Sequence, residues 1–220
     1  MEQLPEEVPL IGFCGAPFTL MCYLVQGRGS KDFVKARAFL RSEPAAARDL
    51  LDRLADGMAT YLEAQVKAGA RALMIFDSWI GLLSEPQFRE LERPALDRIA
   101  AALRPLEVPL IYFPNQGGHL LGGVKGLDVD VMEIDWRRPL SAADADLDGS
   151  YVLQANLDPS SLFAPPETLD QEVDRVLAEG RKLSRGHIFN LGHGIDRHTD
   201  PDQLARLVHR VHASPVGGQE

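Results

Sequence analysis

Six apolar runs of strand length recur along the sequence, and stretches of helical periodicity separate them. The runs are continuously apolar rather than alternating, which is typical of parallel strands covered on both faces. They occupy Val8 to Phe13, Ala72 to Phe76, Val108 to Phe113, Val129 to Ile134, Tyr151 to Gln154 and Ile188 to Leu191. This β-α alternation predicts an α/β fold with right-handed crossovers, either a doubly wound open sheet or part of a (β/α)₈ barrel.

Start and stop signals mark the intervening helices. Ser42 and Pro44 open a long amphipathic stretch that ends at Gly69. Residues 141–150, rich in Asp and Ala, predict a solvated linker or a short helix, and the tail from Ser214 is expected to fray. Further helix starts are predicted at Ser84 with Pro86 and Gln87, at Pro165 with Pro166, and at Asp200 with Pro201.

Composition narrows the class of protein. The 220 residues are 45% hydrophobic and 25% charged, which predicts one compact domain over residues 1–220. The apolar runs are short and the acidic start has no basic n-region, so we expect no membrane span or secretory signal and a cytoplasmic location. A net charge of −9 without a basic stripe argues against nucleic acid as a partner.

Three side chains follow predicted strands where reactive groups gather in a parallel α/β fold. Tyr23 lies on a short helix after the first strand, Ser78 follows the second strand directly after Asp77, and His193 lies between two glycines after the sixth. Tyr23 alone is equally typical of a core residue with its hydroxyl at the rim. Ser78 and Asp77 are equally typical of cap or turn residues. The glycines beside His193 let a backbone approach a ligand or form an anion nest.

Other chemistries find less support. A hydrolase triad of Ser78, His193 and Asp135 lacks the Gly-x-Ser-x-Gly elbow. Cys14 and Cys22 have neither disulfide spacing nor a tetrahedral set of partners, so we expect buried reduced thiols and no metal site.

Several motifs in register carry a family resemblance. The sequence from Leu10 to Gly27 resembles uroporphyrinogen decarboxylase in order and spacing, and nearly all of the chain takes part. The later motifs are Phe76-Asp77-Ser78-Trp79-Ile80-Gly81, Asp135-Trp136, Gln154-Ala155-Asn156-Leu157-Asp158-Pro159 and Asn190-Leu191-Gly192-His193-Gly194-Ile195.

The resemblance implies a (β/α)₈ barrel of the TIM type and a homodimer. It implies stepwise removal of the four acetate carboxyl groups of uroporphyrinogen III to give coproporphyrinogen III in haem biosynthesis, without metal or organic cofactor. By the same resemblance, Tyr23, Ser78 and His193 bind the substrate. No catalytic residue is assigned, because the family's aspartate has no counterpart in these 220 residues.

The departure from the family lies at the front of the chain. The family carries an N-terminal Arg-Gln-Ala-Gly-Arg-Tyr motif, whose arginines bind substrate carboxylates, and a later aspartate that stabilises the cationic intermediate; neither occurs here. We therefore expect an incomplete barrel of about six β-α units with impaired activity. The alternatives are an inactive fragment and a split subunit that needs an N-terminal partner.

A related corrinoid-dependent methyltransferase is a further alternative. Those enzymes need a His-x-Cys and a later Cys as zinc ligands. The third strand here ends in Pro114-Asn115-Gln116-Gly117-Gly118-His119, without cysteine. We expect His119 to cap or pack at the barrel mouth rather than act in catalysis.

Overall fold

A computed structural model describes residues 8–215. Residues 1–7 and 216–220, which hold the acidic start and the end of the tail predicted to fray, lie outside that range. Within it the strands are β1 (Ile11–Gly15), β2 (Ala72–Asp77), β3 (Leu110–Pro114), β4 (Val131–Glu133), β5 (Val152–Leu157) and β6 (His187–Leu191). The helices are α1 (Pro17–Gln26), α2 (Val34–Ser42), α3 (Pro44–Lys67), α4 (Glu85–Gln87), α5 (Arg93–Leu103), α6 (Leu121–Val124), α7 (Leu140–Asp146), α8 (Pro166–Gly180) and α9 (Pro201–Ala213). A π-helical segment covers Phe88–Glu92, and short 3₁₀ segments cover Ile80–Leu82, Arg104–Leu106, Gly118–Leu120 and Pro159–Phe163.

The strands follow one another in the sheet in chain order, from β1 to β6. A doubly wound sheet reverses its strand order at a switch point, whereas a barrel does not. The fold is therefore α/β of the TIM-barrel type with six β-α units, as predicted. The parallel registers place Ile11 opposite Ala72, Leu73 opposite Leu110, and Leu153 opposite His187.

The helix signals in the sequence are confirmed. Helix α3 begins at Pro44 and buries Ala47, Leu51, Ala55 and Leu62, which lie on one stripe of the helix. Gly69 follows the helix with a φ of +107°, a conformation that glycine adopts without steric cost. Asp200 caps α9 by accepting a hydrogen bond from the backbone N–H of Asp202. Residues 140–146 form the short helix α7, one of the two predicted alternatives.

The chain divides into two compact units, Met1–Val131 and Met132–Glu220. In the first unit, Leu73 and Ile75 of β2 are buried together with the apolar stripe of α3. In the second unit, the β5 residues Leu153, Ala155 and Leu157 are fully buried. The expectation of a single domain over residues 1–220 stays a prediction.

Strand β1 stands at the end of the sheet order, and a helix side chain pairs with its backbone. Gln65 of α3 accepts a hydrogen bond from the N–H of Phe13 at 2.8 Å and donates one to the carbonyl oxygen of Phe13 at 2.9 Å. The same strand leaves the Phe13 side chain 60% exposed. The amide of Gln65 thus satisfies two backbone groups that an edge strand otherwise presents to other chains.

Candidate functional site

Tyr23 lies on α1 in the first unit, with its side chain 41% exposed. Its hydroxyl oxygen accepts a hydrogen bond of 2.9 Å from the indole Nε1 of Trp79. Its ring packs edge-on against Phe33, at 5.5 Å between ring centroids, and against Trp79, at 6.4 Å. Because the oxygen accepts the indole N–H, the hydroxyl hydrogen can be donated to a ligand.

Ser78 directly follows β2 and is half-buried. Its backbone carbonyl accepts a hydrogen bond of 3.1 Å from Nδ2 of Asn115. Since Ser78 precedes Trp79 in the chain, the predicted residues Tyr23 and Ser78 lie in the same part of the first unit. Ser78 lines a cavity of about 250 Å³ together with Lys31, Asp32, Trp79, Gly81, Leu82, Asn115 and Gln116.

His193 follows β6 in the second unit and is exposed. Its ring lies edge-on to the Trp136 ring, at 6.1 Å between centroids. The guanidinium of Arg137 lies over the Trp136 ring, 3.7 Å from its centroid. His193 lines a cavity of about 590 Å³ together with Trp136, Asp158, Pro159, Ser160, Phe163, Gly194, Ile195, Asp196 and His198.

The two glycines beside His193 differ in role. A Cβ on Gly192 would lie 2.4 Å from the backbone nitrogen of Trp136, so this position accepts no side chain without movement of the backbone. A Cβ on Gly194 would meet nothing within 4 Å. Gly192 thus lies directly against the backbone of Trp136, and the predicted approach of backbone to a ligand stays a prediction.

Two carboxyl groups are fully buried in the first unit. Asp77 accepts hydrogen bonds of 2.9 Å from the hydroxyls of Thr19 and Tyr112. Glu92 accepts one of 3.0 Å from the backbone N–H of Phe18. Burial raises the pKa of Asp77, and burial together with the nearby charge of Asp77 raises the pKa of Glu92. The expectation that Asp77 caps the following loop is wrong, because its carboxylate binds these two hydroxyls.

A third buried carboxyl group lies in the second unit, on β4. Glu133 is 3% exposed and accepts hydrogen bonds from the side-chain amides of Gln154 and Asn190. Burial raises the pKa of Glu133 to about 7. The sequence did not single out Glu133, although an acidic side chain inside the fourth predicted strand was the available signal.

The remaining predicted positions have structural partners. The carboxylate of Asp135 accepts a hydrogen bond of 2.8 Å from the backbone N–H of Arg137. A ring nitrogen of His119, Nε2, lies 2.9 Å from the carbonyl oxygen of Leu83, in keeping with the predicted capping role.

The two cysteines are free and buried, which confirms the prediction of reduced thiols. Burial raises the pKa of Cys14 to about 12, and burial with the charges of Asp77 and Glu92 raises the pKa of Cys22. Both thiols therefore stay protonated near neutral pH. Among residues 8–215, no group of three or more His, Cys, Asp or Glu side chains is arranged to hold a metal ion. In the same residues, no helix combines the length and apolar character needed to cross a membrane.

Comparison with solved structures supports the fold. A methyltransferase from Methanosarcina mazei matches 95% of this chain and 60% of its own length with a TM-score of 0.80. Its sequence is 19% identical, so this likeness bears on the fold alone.

Comparison with known sequences identifies the family. The family model described as uroporphyrinogen decarboxylase (URO-D) matches residues 1–214. Curated relatives named uroporphyrinogen decarboxylase come from Chromohalobacter salexigens (42% identical), Bacillus cereus (43%) and Saccharopolyspora erythraea (46%), and the matches cover 96%, 96% and 94% of this chain. The chain spans 61%, 60% and 60% of the length of these relatives. It therefore belongs to the uroporphyrinogen decarboxylase family.

Proposed function

We propose that this chain is part of a uroporphyrinogen decarboxylase and carries three of its substrate-binding residues, Tyr23, Ser78 and His193. Such an enzyme removes the four acetate carboxyl groups of uroporphyrinogen III to give coproporphyrinogen III. The observation that carries the proposal is the family match over residues 1–214. The positions of the three side chains support it, since each follows a strand of the sheet at the end where a TIM-type fold binds its ligands.

The proposed chemistry requires an electron sink beside each acetate arm. Protonation of a pyrrole ring carbon supplies that sink, because the electron pair of the breaking C–C bond moves into the cationic ring as carbon dioxide leaves. A second proton then adds to the former methylene carbon, and the ring carbon releases its proton. Each cycle therefore consumes one proton, converts one acetate arm to a methyl group and releases one carbon dioxide.

In this proposal the three side chains act first as positioning groups for the macrocycle. A tyrosine hydroxyl, a serine hydroxyl and a histidine ring N–H can each donate a hydrogen bond to a carboxylate arm. The Tyr23 hydroxyl is already oriented by its hydrogen bond from Trp79. The exposed ring of His193 packs edge-on against the Trp136 ring.

Electrostatics set a further requirement for turnover. A polyanionic substrate meets a chain with a net charge of −9, so attraction must come from a local group of cations. We propose that turnover needs the arginines and the aspartate of the family's N-terminal segment, supplied from outside these 220 residues. Loss of one group that stabilises the transition-state charge costs about 10²–10³ in rate.

The second candidate is a subunit that becomes active only with a separate polypeptide carrying that segment. The exposed inner residues of the first strand, Ile11 and Phe13, favour it, because an added β-α unit would cover them. A fragment without any activity is the remaining alternative.

The homodimer, which rests on the family resemblance, and the cytoplasmic location are part of the same proposal. Light scattering coupled to size-exclusion chromatography tests the first. A molar mass near twice 24.2 kDa supports the dimer, and a mass near 24.2 kDa at all concentrations contradicts it.

Binding of uroporphyrin, the stable oxidised macrocycle with the same carboxylate arms, tests the proposed site. We expect Tyr23→Phe, Ser78→Ala and His193→Ala each to weaken binding by about ten-fold, the factor expected for a lost hydrogen bond to a charged group. The matched controls are Tyr61→Phe and His209→Ala, both at exposed positions on helices. The assay is run on the chain alone and with a relative's N-terminal segment added. Equal binding by site variants and controls in both arms contradicts the proposal.

A further inference from the structure

A series of three hydrogen bonds, linked through the Trp79 residue, connects the buried carboxylate of Asp77 to the hydroxyl of Tyr23. The Thr19 hydroxyl donates to Oδ1 of Asp77 at 2.9 Å and accepts the backbone N–H of Trp79 at 3.3 Å. The indole Nε1 of Trp79 then donates to the Tyr23 hydroxyl at 2.9 Å. Each of these contacts lies within the first unit.

The buried end of this series is held in place from two further elements. Tyr112 of β3 donates its hydroxyl to Oδ2 of Asp77 at 2.9 Å, and both side chains are fully buried. Glu92 of the π-helical segment accepts the backbone N–H of Phe18, the residue before Thr19. Burial and the nearby charge of Asp77 raise the pKa of Glu92. The carboxylate of Asp77 is therefore held in place as the hydrogen-bond acceptor of Thr19.

Thr19 is suited to its place because one hydroxyl oxygen both donates and accepts. Valine has the same shape but does neither, whereas serine keeps the hydroxyl. Loss of the hydroxyl would remove one hydrogen-bond donor to the Asp77 carboxylate and leave the backbone N–H of Trp79 without its bond. The Trp79 ring also packs on Phe33 at 4.7 Å between ring centroids. A shift of the Trp79 backbone would move the indole that orients Tyr23.

We propose that Asp77 and Thr19 are positioning residues for Tyr23, acting through Trp79. These bonds keep the Trp79 indole N–H hydrogen-bonded to the Tyr23 oxygen. The Tyr23 hydroxyl hydrogen is thereby directed toward a carboxylate arm of the bound macrocycle. The inference deepens the proposed function and rests on it for the identity of the ligand. The geometry of the series can be tested without any turnover.

The first test follows the two tryptophan indole N–H signals of the ¹⁵N-labelled chain by nuclear magnetic resonance. A Trp136→Phe variant identifies the signal of Trp79. We expect Thr19→Val to speed solvent exchange of the Trp79 indole proton by about five-fold, the factor that corresponds to one lost hydrogen bond. Thr19→Ser should keep the wild-type exchange rate. An unchanged rate in Thr19→Val overturns the proposal.

Tyr112→Phe is the matched control, because it removes a hydrogen bond from Oδ2 of the same carboxylate, whereas Thr19 bonds Oδ1. We expect it to lower stability and to speed the Trp79 indole exchange less than Thr19→Val does, because Thr19 keeps its bonds to Asp77 and to the N–H of Trp79. If Tyr112→Phe speeds the exchange as much as Thr19→Val does, the effect is general loosening and the proposal is wrong.

The second test measures uroporphyrin affinity in the same variants. We expect Thr19→Val to weaken binding by about five-fold and Thr19→Ser to restore it. Tyr23→Phe should cost less in the Thr19→Val background than in wild type, because Thr19→Val misorients the same hydroxyl that Tyr23→Phe removes. Additive losses overturn the role of Thr19 in positioning Tyr23. If the indole responds as expected but the wild-type chain binds no uroporphyrin with the added segment present, the positioning series stands and the proposed function fails.

Discussion

The side-chain amide of Asn190 on β6 donates a hydrogen bond of 3.2 Å to the carboxylate of Glu133 on β4. Gln154 on β5 donates to the other carboxylate oxygen, so side chains from three strands converge on one buried acid. Burial outweighs these two hydrogen bonds and raises the pKa of Glu133 from its ordinary 4.5 to about 7.

This shift predicts a pH-dependent stability. Between pH 4.5 and 7 the folded chain keeps a proton on Glu133 that the unfolded chain has released, so the free energy of unfolding falls as pH rises through this range. We expect Glu133→Gln to flatten that fall and to exceed wild type by at most about 3 kcal/mol at pH 8, since the pKa shift is from 4.5 to about 7 and one pKa unit corresponds to about 1.4 kcal/mol. Urea unfolding at pH 5 and pH 8 measures both values. Identical pH dependence in the two proteins contradicts this account.

The close approach between Gly192 and Trp136 predicts a contrast between neighbouring glycines. A Cβ at position 192 would meet the Trp136 backbone, whereas one at position 194 would meet open space. We expect Gly192→Ala to cost about 1–3 kcal/mol of unfolding free energy, as overpacking commonly does, and Gly194→Ala to cost less than about 0.5 kcal/mol. Urea unfolding of both variants checks the contrast, and equal costs would show that the approach does not constrain this loop.

The pairing of Gln65 with the backbone of Phe13 predicts an effect on self-association. Gln65→Ala exposes an N–H and a carbonyl on β1, which can then pair with another chain. We expect a larger fraction of oligomer at the same concentration in sedimentation velocity. Thr60→Ala, at an exposed position on the same helix, is the control and should behave as wild type. Equal association of both variants contradicts the proposed protection of this strand.

Continuous apolar runs predicted all six strands, but polar residues hid some of their ends. The sequence predicted that the fifth strand ends at Gln154, whereas β5 continues to Leu157. Asn156 lies inside it because its amide donates to the carbonyl oxygens of Asp135 and Arg138. Such satisfied polar groups are tolerated in a core but interrupt an apolar pattern. At the front of the chain, the first strand was predicted from Val8, whereas β1 begins at Ile11.

The candidate site was predictable only in its outermost side chains. Tyr23, Ser78 and His193 stand after strands, where a parallel fold collects its ligand-binding groups. The buried groups that we propose position Tyr23 were hidden, because their partners are distant in sequence. Thr19 and Asp77 are separated by 58 positions, and Asp77 and Tyr112 by 35. No local pattern encodes a contact of that range.

Decarboxylation of uroporphyrinogen tests the central claim most directly. The purified chain is assayed alone, with an added N-terminal segment from a complete relative, and as His193→Ala with the same segment, and chromatography separates the products by their number of carboxyl groups. We expect turnover only when the segment is present, reduced by about ten-fold or more in His193→Ala. Activity of the chain alone would contradict the need for the added arginines and aspartate. Absence of product with the segment bound would contradict the assignment of decarboxylase function to this chain.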